Sequence, residues 1–427
     1  MEIVRYPDMA DVERILRRPA QSVERLREPA MAVIDSVRKE GDVALLRYTL
    51  QLDSVSISSF SVSSAEFEEA ELQTPPELKN AIELAAKNIE AFHAAQKQEV
   101  EKITTMPGVT CWRKSVGIER VGLYVPGGSA PLFSTVLMLG IPAKLAGCAR
   151  VALCTPPNKS GKVHPAILFA AKLVGVTEVY KVGGMQAIAA LAFGTKSIPR
   201  VDKIFGPGNA YVTAAKQLVS SMGVAIDMPA GPSEVMALAN GKCNAAFVAA
   251  DLLSQAEHGA DSQVALVSDS PNTISKILKA LQQQLKELKR KDIASQALAQ
   301  SKALLVKNED EMVCAANIYA AEHLIIATKN AEQLAEKIVN AGSVFIGPYS
   351  PESAGDYASG TNHALPTAGY ARSFSGVSVD SFVKKITFQH LTRDGVKNIG
   401  KIVEVMADAE GLQAHKNAIR LRLEENS

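Results

Sequence analysis

The 427-residue chain reads as an α/β protein built from two Rossmann-like parallel-sheet units, with a helical N-terminal region and a helical C-terminal tail. Three observations predict this class. From Glu119 onward, short apolar runs alternate with longer helical ones, a β-then-α rhythm suited to parallel strands, which need crossover connections. Helical runs end at glycines such as Gly147 and Gly175, as helix C-termini commonly do. The composition, 47% hydrophobic and 21% charged, is that of a globular chain of roughly two to four packed units.

Taken in order, "RVGLYVPGG" predicts a strand, "STVLMLGIPAKLAG" a helix, "ARVALCTPP" a strand and "HPAILFAAKLVG" a helix. "TEVYKVGG", "MQAIAALAFG", "VDKIFGPGN" and "AYVTAAKQLVSSM" continue the alternation, which "GVAIDMP" closes. After the "AGPSE" loop it resumes with "EVMALAN", "NAAFVAADLLSQAEHG", "SQVALVSD" and the helical "TISKILKALQQQLKELKRKD". "KALLVKN", "EDEMVCAANIYAAEHLIIAT", "NAEQLAEKIVNAG" and "SVFIGP" complete a second unit. The Gly-, Pro- and Ser-rich run from Tyr349 to Gly376 reads as a long loop of the kind that carries function. The helical residues before Glu119 could complete either unit. The expected division is an N-terminal segment 1–20, a first discontinuous domain 21–119 plus 234–376, a second domain 120–233 and a helical tail 377–427.

A net charge of +1 gives no global field for nucleic acid or anionic lipid. The N-terminus lacks the features of a signal or transit peptide, and no run approaches the ~18 apolar residues of a membrane span, so a cytoplasmic protein is expected. Five cysteines without CxxC spacing argue against a disulfide framework or a cysteine-built zinc site.

The seven histidines mark where chemistry could sit, since imidazole titrates near neutrality and is the commonest metal ligand. His93, His164 and His390 have no acidic set around them and read as structural or surface residues. The other four stand at breaks in structure with polar company: "QAEHG", "AAEHL", "SGTNHALP" and "GLQAHKN". Gln255 and His258, three apart on a helix, point the same way and could reach one ion, or could cap the helix end ahead of Gly259. Glu322 and His323 adjoin where a helix gives way to an apolar run, either as a general-base pair entering a cleft or as a surface pair. Asp356 with His363, and Glu410 with His415, complete a donor set that suits zinc.

The runs "VGLYVPGGSAP", "FGPGNAYV", "DMPAGPSEV", "LLSQAEHG", "AAEHL", "ASGTNHALPT" and "EGLQAHKNA", in this order, resemble the histidinol dehydrogenase family over nearly the whole chain. The resemblance implies oxidation of L-histidinol to L-histidine through the aldehyde, with two NAD+ reduced and one Zn2+ per subunit. It implies Gln255, His258, Asp356 and His415 as zinc ligands, and Glu322 and His323 as the catalytic acid/base pair. Ser233, His363 and Glu410 would hold substrate together with the ligands and His323, while Tyr124, Gln186 and Asn209 would contact NAD+. A homodimer is implied in which the C-terminal tail completes the neighbouring subunit's site. The segment around Ser134, "APLFSTVLML", departs from the tyrosine- and serine-rich version expected.

Such a ligand set carries one negative charge, so zinc would keep a net positive charge and accept the imidazole and amine nitrogens of histidinol. Proton transfer would then fall to His323 for the alcohol and to Glu322 for the water that hydrates the aldehyde. The rival readings are a related zinc and NAD dehydrogenase for another amino alcohol or polyol, a zinc hydrolase using Glu322, a non-catalytic relic, and a thiohemiacetal route through Cys148 or Cys154.

Overall fold

The computed structural model describes residues 1–18, 23–127, 130–229 and 231–425. Gly128 and Ser129 of "VPGGSAP", Ala230 of "AGPSE" and the boundary expected between residues 20 and 21 lie outside the described residues.

The two expected parallel sheets are present. One has five strands in the spatial order Glu178–Lys181, Arg150–Thr155, Arg120–Tyr124, Lys203–Phe205, Ala225–Ile226. The other has six, in the order Glu2–Arg5, Lys302–Leu305, Gln263–Ser268, Glu234–Ala239, His323–Ala327, Ser343–Ile346. Its three central strands are buried at every position, which explains their unbroken apolar runs: both faces of a parallel sheet are covered. On one face Val248, Leu252 and Ile277 pack over Leu266 and Ile325; on the other Met312, Ala316 and Tyr319 pack over Leu324 and Ile326.

Both sheets have the same logic. In each, the unit's first strand lies between its second and fourth, so chain order reverses beside Arg120–Tyr124 and beside Glu234–Ala239. Crevices at such reversals are where open α/β sheets bind ligands.

Helices Val23–Glu40, Ser64–Gln73 and Pro76–Ala94 pack mainly over the five-stranded sheet's helices, and Asn88 in the last of them also donates to the Ala358 carbonyl of the expected long loop. Ile34 and Val37 pack with Ile188 and Leu191, and Ile82 and Ile89 with Leu139 and Leu168. The cause is compositional. Helix Phe133–Ala146 is buried from Ser134 through Ala143, and Gly184–Phe193 from Met185 through Ala192. Helices apolar all round need a second layer outside them, and the amphipathic N-terminal helices provide it. Within residues 1–20, the expected N-terminal segment, Glu2–Arg5 forms a strand at the far edge of the other sheet.

The tail is also more than helical. Val383–Leu391 is a strand, antiparallel to Val109–Gly117, which in turn pairs Lys102–Met106. Trp112 and Phe388 stack across it with centroids 5.3 Å apart. Its side chains are exposed on both faces, so no apolar alternation marked it in the sequence. Helices Arg393–Ala409 and Gln413–Glu424 follow and pack on each other.

A buried ion pair ties the chain's start to the centre of the six-stranded sheet. Arg18 Nε and Nη2 donate to Glu234 at 2.5 and 2.7 Å, and Nη2 also donates to the Tyr319 carbonyl at 2.7 Å. The guanidinium lies 4.0 Å from the Tyr319 ring centroid. Replacing Arg18 strands the Glu234 carboxylate, so Arg18→Ala is expected to lower unfolding free energy by about 3 kcal/mol in urea titrations; a change below about 0.5 kcal/mol would show the pair to be inert. At Gly206, φ is +123° and a Cβ would overlap the Tyr124 carbonyl oxygen. Gly206→Ala is therefore expected to cost more than about 1 kcal/mol in the same assay.

Candidate active site

Helix Ala245–Ala256 is capped by the Asn244 side chain, which accepts the Ala246 N–H, and ends one turn before Gly259. Gln255 lies in its last turn and is fully buried, while His258 follows just beyond the end. The second element is the turn after helix Glu309–Tyr319, where Ala320 takes a left-handed conformation and redirects the chain into strand His323–Ala327. Glu322 and His323 thereby reach the amino edge of the six-stranded sheet, beside Glu234 at the start of the neighbouring strand. The third is the short helix Glu352–Tyr357 within the expected loop, whose spacing puts Glu352 and Asp356 on one face.

Glu322 Oε2 accepts the backbone N–H of Glu234 at 2.9 Å. His323 Nδ1 is 3.3 Å from the Glu234 carbonyl oxygen, which can only accept, so Nδ1 carries a proton. Around the same ring lie Glu322 Oε2 at 3.6 Å, Glu352 Oε1 at 3.9 Å and, from Nε2, Asp356 Oδ1 at 3.6 Å. His258, Glu352 and Asp356 offer ligand atoms within 4.8 Å of one another. His363 donates from Nδ1 to the Asp356 carbonyl at 3.0 Å, and its Nε2 lies 3.2 Å from the Thr135 hydroxyl.

Several polar atoms here have no hydrogen-bond partner among the described residues: both amide atoms of Gln255, both carboxylate oxygens of Glu352 and Nε2 of His323. Unpaired buried polar groups cost free energy, and so many in one place point to a ligand that satisfies them. The charges agree. Burial pushes the Glu322 carboxyl up to about 7, against the pull of His323. Burial raises Glu352 as well. For His323, burial favours the neutral ring, but the carboxylates of Glu322, Glu352 and Asp356 outweigh it and raise its pKa. Burial would raise Asp356, yet the His323 ring beside it, with His363 and His258 further off, keeps it below the ordinary carboxylate range. Burial holds His258 and His363 below the usual imidazole value. Three carboxylates around one imidazole make an anion-rich pocket, and its imidazole, amide and carboxylate donors suit a borderline divalent cation.

Ser233, His258, Glu322 and His363 line one cleft of about 250 Å³, together with Asn209 from the Gly206–Asn209 loop of the five-stranded sheet. Asn209 also lines a second cleft of about 940 Å³ with Tyr124 and Gln186, at the carboxyl edge of that sheet. There Tyr124 Oη accepts the Gly184 N–H at 3.0 Å, and Gln186 is buried with an unpartnered carbonyl oxygen.

Two expected residues are not brought in. Glu410 and His415 lie exposed at the turn and in the second helix of the terminal pair, and neither lines either cleft. Glu352 is the residue that sequence reasoning missed. Its position four before Asp356 is helical spacing, a signal hidden by the Gly-, Pro- and Ser-rich composition around it. His93 is buried, with ring nitrogens at 3.1 Å from Gln96 Oε1 and 3.4 Å from Asn362 Nδ2, and His164 caps a helix, as their structural reading expected. Cys154 is fully buried and its thiol pushed far up by burial, while burial raises Cys148 to about 11. Neither lines the clefts, which removes support for the thiol route.

Residues 16–423 match the family model for histidinol dehydrogenase. A histidinol dehydrogenase of Bacteroides fragilis is 59% identical over 425 residues, covering 100% of this chain and 99% of the relative. One from Xylella fastidiosa is 52% identical over 418 residues, 97% of each. The crystal structure of histidinol dehydrogenase from Elizabethkingia anophelis superimposes with a TM-score of 0.98 at 53% identity, covering 100% of this chain and 99% of that one. The chain belongs to the histidinol dehydrogenase family and is an oxidoreductase.

Proposed function

We propose that the chain oxidises L-histidinol to L-histidine through L-histidinaldehyde, reducing two NAD+ and consuming one water, with Zn2+ held by Gln255, His258 and Asp356. The observation that carries the reading is the fully buried Gln255 amide, unpartnered, in the helix turn that leads to His258. A neutral donor with both atoms unsatisfied is out of place in a core but fits a cation site that must keep positive charge. Bound zinc would supply a Lewis acid that anchors the imidazole and amine of the substrate.

The protein's own groups then handle the protons. His323 is fixed through Nδ1 on the Glu234 carbonyl; a cation held at Asp356 would offset the carboxylates that otherwise keep the ring protonated, which frees Nε2 to accept the alcohol proton as hydride leaves the carbinol carbon for nicotinamide. Tyr124, Gln186 and Asn209 line the cleft assigned to NAD+, and Asn209, which lines the smaller cleft as well, supports a reading in which the two reactants lie side by side. Glu322, with one oxygen on the Glu234 N–H, keeps the other for the water that adds to the aldehyde. A carboxyl near 7 suits that proton transfer at neutral pH. A second hydride transfer from the hydrate yields the carboxylate. Ser233 and His363 line the substrate side.

Glu410 and His415 belong in this reading to the neighbouring copy's site, His415 as its fourth zinc ligand. Support comes from the apolar face of the terminal helices, where Ile402, Val405 and Met406 stand exposed and a second copy would cover them. The reading puts the enzyme in the cytoplasm. No helix among the described residues is long and apolar enough to cross a membrane, and the five cysteines are free.

Two outcomes test the assignment. Glu322→Gln is expected to bind zinc normally while histidinol-dependent NADH formation falls ~100-fold; loss of zinc from that variant would make Glu322 a ligand instead. Gln255→Ala is expected to weaken zinc binding 10- to 100-fold by order of magnitude, read as metal content after dialysis against a chelator. Full zinc retention there, or NADH formation that survives metal removal, would sink the zinc reading.

A further inference from the structure

The six-stranded sheet has a crevice of its own at the reversal of strand order, on the edge opposite Glu322 and His323, and it takes no part in the reaction above. Beyond the carboxyl ends of Glu234–Ala239 and His323–Ala327 lies a cavity of about 400 Å³ walled by Val248, Ile325 and Ala327. It occupies the same place in the strand order as the cleft at Tyr124 does in the other sheet.

Its polar groups are arranged from mouth to floor. Thr328 lines the cavity with 6% of its surface exposed, and its hydroxyl has no partner among the described residues. Lys242 and Lys329 stand exposed at the mouth, beside the N-terminus of helix Ala245–Ala256, and neither forms an ion pair among the described residues. Helix N-terminus and lysines together favour an anion there. Two turns further in, Asp251 presents a half-buried carboxylate with no cationic partner among the described residues. Burial pushes that carboxyl up to about 6, so it remains mostly ionised at neutral pH and can only accept hydrogen bonds. Phe247 stands at the rim, its ring centroid 6.5 Å from that of Tyr349.

An occupant that satisfies both ends carries an anion at one and hydrogen-bond donors at the other, with an apolar body against Val248, Ile325 and Ala327 between them. From Asn244 to Asp251 the helix rises about 10 Å, which sets the separation of the two ends. We propose that this cavity binds a purine mononucleotide, its phosphate at Lys242, Lys329 and the helix N-terminus and the donor edge of its base on Asp251. Guanine suits the floor better than adenine: its adjacent ring N–H and amino group are both donors, whereas adenine sets an acceptor beside its amino group, facing the carboxylate. A dinucleotide is too large for the cavity, and a basic amino acid, though it could pair with Asp251, is too slender to fill it.

Calorimetric titration of the full chain with GMP, with NAD+ present to fill the cleft at Tyr124, tests the assignment. Saturable binding is expected, weakened about tenfold or more by Lys329→Ala and by Asp251→Asn, each of which removes one charge-assisted contact, and unaffected by Gln186→Ala. AMP is expected to bind about tenfold more weakly than GMP, since it loses one donor to Asp251. Absence of saturable binding, binding lost to Gln186→Ala but not to Lys329→Ala, AMP binding more tightly than GMP, or L-arginine binding more tightly than either would each overturn the proposal.

Discussion

The site depends on one hydrogen bond, the Glu234 amide donating to Glu322 Oε2 at the amino edge of the six-stranded sheet. It holds a buried carboxylate at the point where two parallel strands begin, and the next atoms of the same backbone, the Glu234 carbonyl, fix the His323 ring through Nδ1. Both expected acid/base groups thus hang from a single residue of the neighbouring strand. That residue is itself clamped from the other side, because Arg18 grips its carboxylate and Tyr319, which donates to Gln263, lies under the guanidinium. The pair is positioned by the sheet, and the sheet's position is held by the chain's first turns.

The two sheets use their edges differently. In the five-stranded sheet the cleft at Tyr124, Gln186 and Asn209 lies at the carboxyl edge, as strand reversal predicts. In the six-stranded sheet the cluster of titratable groups sits at the amino edge, and the Gly206–Asn209 loop of the first sheet reaches over to line the same cleft. Facing a carboxyl edge against an amino edge lets one loop serve both clefts. It also leaves the second sheet's carboxyl edge free of this chemistry.

Burying three carboxylates around one imidazole is unfavourable in a bare core. Burial answers the cost by raising the Glu322 and Glu352 carboxyls toward their neutral forms, while the charge of the His323 ring offsets Asp356. The Gln255 and Glu352 atoms stay unsatisfied in a region otherwise dense with backbone bonding, so hydrogen-bonding capacity is left over there among the described residues.

Much of this was legible along the chain. Apolar runs of strand length alternating with helical ones determined the parallel sheets, because parallel pairing demands crossovers. The three-residue spacing of Gln255 and His258 suggested one helix face, but the helix ends at Ala256 and His258 stands in the turn beyond it; Glu322 and His323 do fall where a strand begins, as the break in pattern suggested. Ordered motifs over nearly the whole length identified the family. Tertiary structure decided the rest. The N-terminal helices are amphipathic and would suit either sheet; they cover the one whose own helices are apolar all round. Strand Val383–Leu391 is exposed on both faces and so has no periodic signature to read. Glu352 joins Asp356 and His258 only because a six-residue helix forms inside a loop-like composition and docks beside a helix nearly a hundred residues earlier. Local sequence specifies period and turn, but which distant surfaces meet is set by the burial each still lacks.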